Sequence, residues 1–140
     1  MHEDAAVLSS SLIALQSRHS ASIRKTLWFM QQNYVEPITL SRLAAIANLS
    51  LLQFTMAFRR EVGMPPYRYL SHVRIRKAKD LLEQGMAISV VAAEAGFFDQ
   101  PHMCRHFKRA CGLTPGQYLA AAMRDPRRVP LKLRGNMDAG

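Results

Sequence analysis

Apolar residues recur three and four positions apart along almost the whole chain, and no stretch shows the period of two that a half-buried strand requires. The pattern predicts an all-helical protein. Glycine and proline interrupt it at Pro37, Gly63 with Pro65 and Pro66, Gly85, Gly96, Gly112 with Pro115, and Pro126. Residues 23–34, "IRKTLWFMQQNY", read as an amphipathic opening helix with Ile23, Leu27, Met30 and Tyr34 on one side. Trp28 and Phe29 broaden that stripe and are expected to pack with it. Residues 67–84, "YRYLSHVRIRKAKDLLEQ", read as one longer helix whose apolar stripe is Leu70, Val73, Ala78, Leu81 and Leu82.

Two punctuated segments match each other: "LSLLQFTMAFRREVGMPPYRYL" at 49–70 and "FDQPHMCRHFKRACGLTPGQYL" at 98–119. Phe58 and Phe107, Arg60 and Arg109, Gly63 and Gly112, Pro66 and Pro115, Tyr69 and Tyr118, and Leu70 and Leu119 all lie 49 positions apart. Upstream, Leu40, Leu43, Ala44 and Ala47 pair with Ile88, Val91, Ala92 and Ala95 at an offset of 48, so the turn of the second unit is one residue longer. Each unit runs from a short helix holding a small residue (Ala44, Ala92), through a tight turn (Asn48-Leu49, Gly96-Phe97-Phe98), to a capping residue (Ser50, Asp99) that opens a second helix. Alanine permits close helix approach, and Asn or Gly accepts the positive φ such a turn needs. This is the grammar of a helix-turn-helix, present twice.

Charge narrows the choice of partner. The 140 residues suffice for one compact domain or two small units sharing a core, and 19 Lys and Arg against 10 Asp and Glu leave a net charge of +9 with a pI near 10.3. Such a surplus favours a polyanion. The N-terminus lacks a signal-peptide pattern and no apolar run is long enough to span a bilayer, so a soluble, cytoplasmic protein without a membrane role is expected. No nucleophile, base and oxyanion-donor set and no glycine-rich phosphate loop is present, so neither an enzyme nor a cofactor is expected.

The stretch "GFFDQPHMCRHFKRACGLTP" at 96–115 holds two histidines and two cysteines, which raises metal binding or thiol chemistry as alternatives. Each helical residue turns about 100°. With Met103 and Phe107 facing the core, His102 and His106 fall on one flank and Cys104 and Cys111 on the other. Four zinc ligands must converge, and these diverge, so no metal site is expected. The thiols lie about 10.5 Å apart if the helix is unbroken, beyond the roughly 7 Å Cα limit of a disulfide. A helix ending before Cys111 would relax that limit and leave a thiol-based redox sensor open.

On the same wheel Gln100, His102 and Arg105 project from the leading two turns, where a recognition helix meets base edges. Arg105 suits bidentate pairing with guanine, and Gln100 with adenine. In the first unit Phe54 and Phe58 turn inward, leaving Leu52, Thr55, Met56, Arg59 and Arg60 outward. Leu52 and Met56 suit thymine methyls or a protein partner. A protein-interaction module with weak DNA affinity is therefore the other reading of the chain.

The motifs "YLSHVRIRKAKDLL" and "ISVVAAEAGFFDQPHMCRHFKRACGLTP", within about Ile23 to Leu119, resemble the DNA-binding domain of AraC-type (AraC/XylS) transcription regulators. The resemblance implies a homeodomain-like, seven-helix domain of two helix-turn-helix subdomains joined by a linker helix. It implies an activator that binds double-stranded DNA, often contacts RNA polymerase, and has a monomeric DNA-binding domain. It places base reading at Gln100, His102, Cys104 and Arg105 and at Leu52, Thr55 and Met56. Phosphate contacts are expected around Ser50, Arg59, Arg60, Asp99, Lys108 and Arg109, and Arg74 is expected to be structural, pairing with a carboxylate.

The expected organisation is an N-terminal extension at 1–20, subdomains at 21–66 and 85–122, the linker helix at 67–84, and a mobile basic tail at 123–140 that adds phosphate affinity. The linker helix, about 27 Å long, is expected to set the two recognition helices into adjacent major-groove segments, which lie about 34 Å apart. Relatives often carry a further sensing domain, so the chain is either self-sufficient or part of a longer regulator.

Overall fold

A computed structural model describes residues 19–124, and these contain seven α-helices and no strand. They are α1 (Ala21–Gln32), α2 (Leu40–Ala47), α3 (Leu51–Val62), α4 (Pro66–Glu83), α5 (Ile88–Glu94), α6 (Gln100–Cys111) and α7 (Pro115–Arg124). The sequence-based expectations for residues 1–18 and for the basic tail from residue 125 lie outside the described residues. The described residues divide into two compact units, one of residues 19–33 and 38–70, the other of residues 34–37 and 71–124.

In the first unit Ser20 caps α1 and Thr39 caps α2, each hydroxyl accepting a backbone N–H of the first turn. The buried face of α1 is Ile23, Thr26, Leu27 and Met30. Thr26 tolerates full burial because its hydroxyl donates to the Ile23 carbonyl at 2.7 Å. Trp28 departs from expectation. It stands one residue, about 100°, beyond Leu27 and is 59% exposed, while Phe29 is half-buried with the Arg42 guanidinium 5.2 Å over its ring. α2 and α3 turn through 83° at their break, and Leu43, Ala44, Ala47, Phe54 and Phe58 close the core between them.

The second unit repeats the plan. Val91 and Ala92 of α5 pack with Met103 and Phe107 of α6 against Ile75, Ala78, Leu81 and Leu82 of α4. Val73 was expected in that stripe, yet it is only half-buried and Ile75 is buried instead. The reason is that α4 serves two cores. Leu70 belongs to the first unit, whereas the second core needs the i, i+3, i+7 row that starts at Ile75.

The internal repeat survives in three dimensions. Phe58 meets the edge of Tyr69 at 5.9 Å, and Phe107 meets the edge of Tyr118 at 5.5 Å. Each phenol is tied by its own unit: Tyr69 accepts from Gln31 Nε2 at 2.7 Å, and Tyr118 donates to the Glu83 carboxylate. Burial, then that carboxylate, pushes the Tyr118 phenol well above its ordinary pKa.

Arg74 holds the segment 34–37 in the second unit, donating through Nε to the Tyr34 carbonyl at 2.8 Å and through a terminal nitrogen to the Glu36 carbonyl at 3.1 Å. These two backbone acceptors were not anticipated from sequence. Gly96 lies under the same segment at φ +91°, and a Cβ there would collide with the Tyr34 carbonyl oxygen.

Candidate nucleic-acid interface

The candidate surface of each unit lies on its second helix. In the first, Asn48 takes the left-handed conformation at φ 58°, which bends the chain out of α2. Ser50 then opens α3 with a reciprocal capping box: its hydroxyl accepts from the Gln53 N–H, and Gln53 Oε1 accepts from the Ser50 N–H, both at 3.1 Å. Phe54 and Phe58 anchor α3 with no exposed surface. Leu51, Leu52 and Met56 face solvent, Leu52 by 70% and Met56 by 58%. Thr55 is half-buried, and its hydroxyl is spent on the Leu51 carbonyl at 2.7 Å, leaving a methyl group as its free surface. Leu51, Leu52 and Met56 thus make the early part of this face largely apolar, and its charged donors are the exposed Arg59 and Arg60 in the last turn.

The second unit has the opposite character. Asp99 caps α6 by accepting from the His102 N–H at 2.8 Å, and Pro101 sits in the first turn, where the missing N–H costs nothing. Met103 and Phe107 are fully buried and fix the rotation of the helix. Gln100, Pro101, Arg105, Lys108 and Arg109 are consequently exposed. Lys108 and Arg109 in the last turn also complement the negative end of the helix dipole, as Arg59 and Arg60 do on α3.

His102 is more constrained than its outward position suggested. It is half-buried, its ring meets His106 at 4.4 Å and Phe97 at 5.7 Å, and its Nδ1 accepts the Phe98 N–H at 3.3 Å. With Nδ1 an acceptor, the neutral ring carries its proton on Nε2, which makes it a donor toward any partner. His106 pairs through Nδ1 with the Ser71 hydroxyl at 3.0 Å. Burial, then His102, Arg109, Arg105 and Arg74, holds its pKa below the usual 6.5.

Cys104 and Cys111 are half-buried free thiols on an unbroken α6, so their Cα atoms stay about 10.5 Å apart and no bond can join them. Among the described residues no three His, Cys, Asp or Glu side chains converge as metal ligands. No single described helix is long and apolar enough to cross a membrane.

One exposed residue at this surface escaped the reading of the sequence. Phe98, between the turn and the cap of α6, is 90% exposed. The signal was present in the lengthened second turn, but a turn aromatic reads by default as core.

Two helix-turn-helix units, each with a buried anchor pair and a solvent-facing second helix, define a helix-turn-helix protein. The helix-turn-helix domain family matches residues 43–121. The virulence regulon transcriptional activator VirF of Yersinia enterocolitica is 34% identical over 113 residues, covering 80% of this chain and 41% of VirF. An HTH-type transcriptional regulator of Bacillus subtilis, YbfI, is 37% identical over 84 residues, covering 60% of this chain and 30% of that protein. Among solved structures, the DNA-binding domain of AdpA in complex with a target DNA superposes with a TM-score of 0.71 at 29% identity, covering 76% of this chain and 98% of that one. The C-terminal domain of AraT from Geobacillus stearothermophilus gives 0.71 at 26% identity, covering 74% and 88%. The chain belongs to the AraC-type helix-turn-helix DNA-binding domains. It spans between about a quarter and two-fifths of the length of the curated relatives it matches.

Proposed function

We propose that the chain is the DNA-binding part of a transcription regulator that recognises double-stranded DNA by sequence, with α6 as its principal reading helix and α3 as a second one in an adjacent major-groove segment. The observation that carries this reading is the exposed Arg105, in the second turn of a helix that opens on exposed Gln100 and whose rotation is fixed by two fully buried side chains. A guanidinium so held pairs bidentately with guanine O6 and N7, and the amide of Gln100 suits adenine. His102 adds an Nε2 donor, and Cys104 a small apolar contact from the opposite flank of the helix. On α3, Leu52, Met56 and the Thr55 methyl read thymine methyls.

Arg59, Arg60, Lys108 and Arg109, with the cap regions at Ser50 and Asp99, set register on phosphates. At both caps the side chain already holds one first-turn N–H group, so the phosphate contact there comes from the remaining free amides of the first turn. Similarity to VirF, which is named as an activator, supports activation, and contact with RNA polymerase by a monomeric domain in the cytoplasm belongs to the same proposal.

Selection of duplexes from a random pool, followed by a salt titration, tests the reading. Affinity should fall steeply from about 50 to 200 mM salt, in proportion to the phosphates neutralised. Arg105→Ala should relax preference at one base pair at a cost of about 1–3 kcal/mol, whereas Lys108→Ala should weaken all sequences equally. Uniform loss from both variants overturns the assignment of roles, whereas a flat salt profile overturns DNA recognition itself and assigns the Leu52–Met56 face to a protein partner.

A further inference from the structure

The two turns are not equal, and hydrogen bonding identifies the residue that makes them differ. In the first unit the Leu49 N–H donates to the Ala44 carbonyl at 3.0 Å, and in the second the Phe97 N–H donates to Ala92 at 2.9 Å. Leu49 and Phe97 are therefore equivalent, 48 positions apart. Ser50 and Asp99, the caps of α3 and α6, are equivalent at 49. Phe98 is the inserted residue.

Phe97 supplies the buried aromatic of this turn, so Phe98 has no packing duty. It also fails to form the staple common at such positions, in which the residue before the cap packs on the fourth residue of the helix, because that residue, Met103, is fully buried while Phe98 is 90% exposed. Yet its backbone is held on both sides. Phe97 is buried before it, the Asp99 cap follows it, and its own N–H is fixed on His102 Nδ1. An almost fully exposed phenyl on an ordered backbone, directly ahead of the Asp99 cap and two residues before Gln100, stands at the end of α6 that meets base edges. The apolar group that the major groove offers there is the C5-methyl of thymine, a partner that Phe can cover.

We propose that Phe98 is a further specificity-determining residue, reading one thymine through its methyl group at the edge of the site contacted by α6. The proposal rests on the reading of α6 as a DNA-recognition helix. It gives the second unit an apolar contact beside its polar ones, placed on the turn instead of on the helix.

The test uses the 140-residue chain and a duplex selected from a random pool. Phe98→Ala, whose melting temperature should match that of the parent because the side chain lies in solvent, is expected to weaken binding about tenfold, and Phe98→Leu should recover part of the loss. Each thymine is then replaced by uracil, which removes only the methyl group. One replacement should weaken the parent chain about fourfold, the loss expected for uncovering one methyl, and should leave Phe98→Ala unchanged. Unchanged affinity of Phe98→Ala, or identical uracil profiles in both proteins, overturns the assignment. Failure of the parent chain to enrich any duplex is a different result, which defeats the DNA-recognition reading itself.

Discussion

The first and second units share an interior and differ at the surface. Phe54 and Phe58 correspond to Met103 and Phe107, the caps Ser50 and Asp99 hold matching N–H groups, and the Phe–Tyr edge contact occurs in both. Outside, Leu51, Leu52 and Met56 stand where the second unit carries Gln100, Pro101 and Arg105. A duplicated scaffold thus keeps what closes its core, while the positions that turn away from the core are free to take any character. On the proposed reading, binding selectivity comes from the outward residues, superimposed on a common frame.

The largest effects should fall on the common frame. Phe58→Ala and Phe107→Ala should each cost about 3–5 kcal/mol of stability, measured by denaturant unfolding; a loss below about 1 kcal/mol at either site would break the equivalence of the two cores. The turns come next and should separate the units. Asn48 already carries a side chain at positive φ, so Asn48→Gly should change stability by less than about 1 kcal/mol. Gly96→Ala must bear the left-handed penalty, about 1–2 kcal/mol, and also push the Tyr34 carbonyl aside, so a loss above about 2 kcal/mol is expected. Equal responses would show that the segment 34–37 does not press on the second turn.

Smaller still are the caps. Ser50→Ala and Asp99→Ala should each cost about 1 kcal/mol, visible in thermal melts, with no change in the pattern of bases preferred. The smallest effect separates the units by pH. His106 has its counterpart in Ala57, so only the second unit carries this titration. Its folded pKa lies below 6.5, hence the unfolded chain binds the proton more readily. The stability it contributes is complete above about pH 6.5 and is lost as pH falls from there through the lower folded value. His106→Gln should flatten melting temperature between pH 7 and pH 5, and an unchanged slope would remove His106 as its source.

Much of this was legible in the sequence because it depends on local rules. Period-3.6 patterning located the helices, the offset of 48 changing to 49 exposed both the repeat and the longer turn, and inward Met103 and Phe107 set the outward bearing of Arg105. What escaped depends on tertiary packing. Trp28 looked like core because it is large and apolar, but α1 needs only a narrow face and fills one place with Thr26. Val73 was displaced by Ile75 because one helix supplies two cores. Two acceptors of Arg74 are carbonyls of a segment whose path no periodicity records. His102 was placed on the correct flank, yet its contacts with Phe97, Phe98 and His106 need the turn to be folded first.

The apolar outer face of α3 has a consequence for how such a protein changes over time. Leu51, Leu52 and Met56 neither seal the interior nor cap a helix, so codons there can drift among many residue types without threatening folding. On the proposed reading, with Arg105 and Gln100 anchoring recognition elsewhere, single substitutions in α3 would bring new target sites within reach, and the quieter of the two proposed reading heads would be the one best suited to innovation.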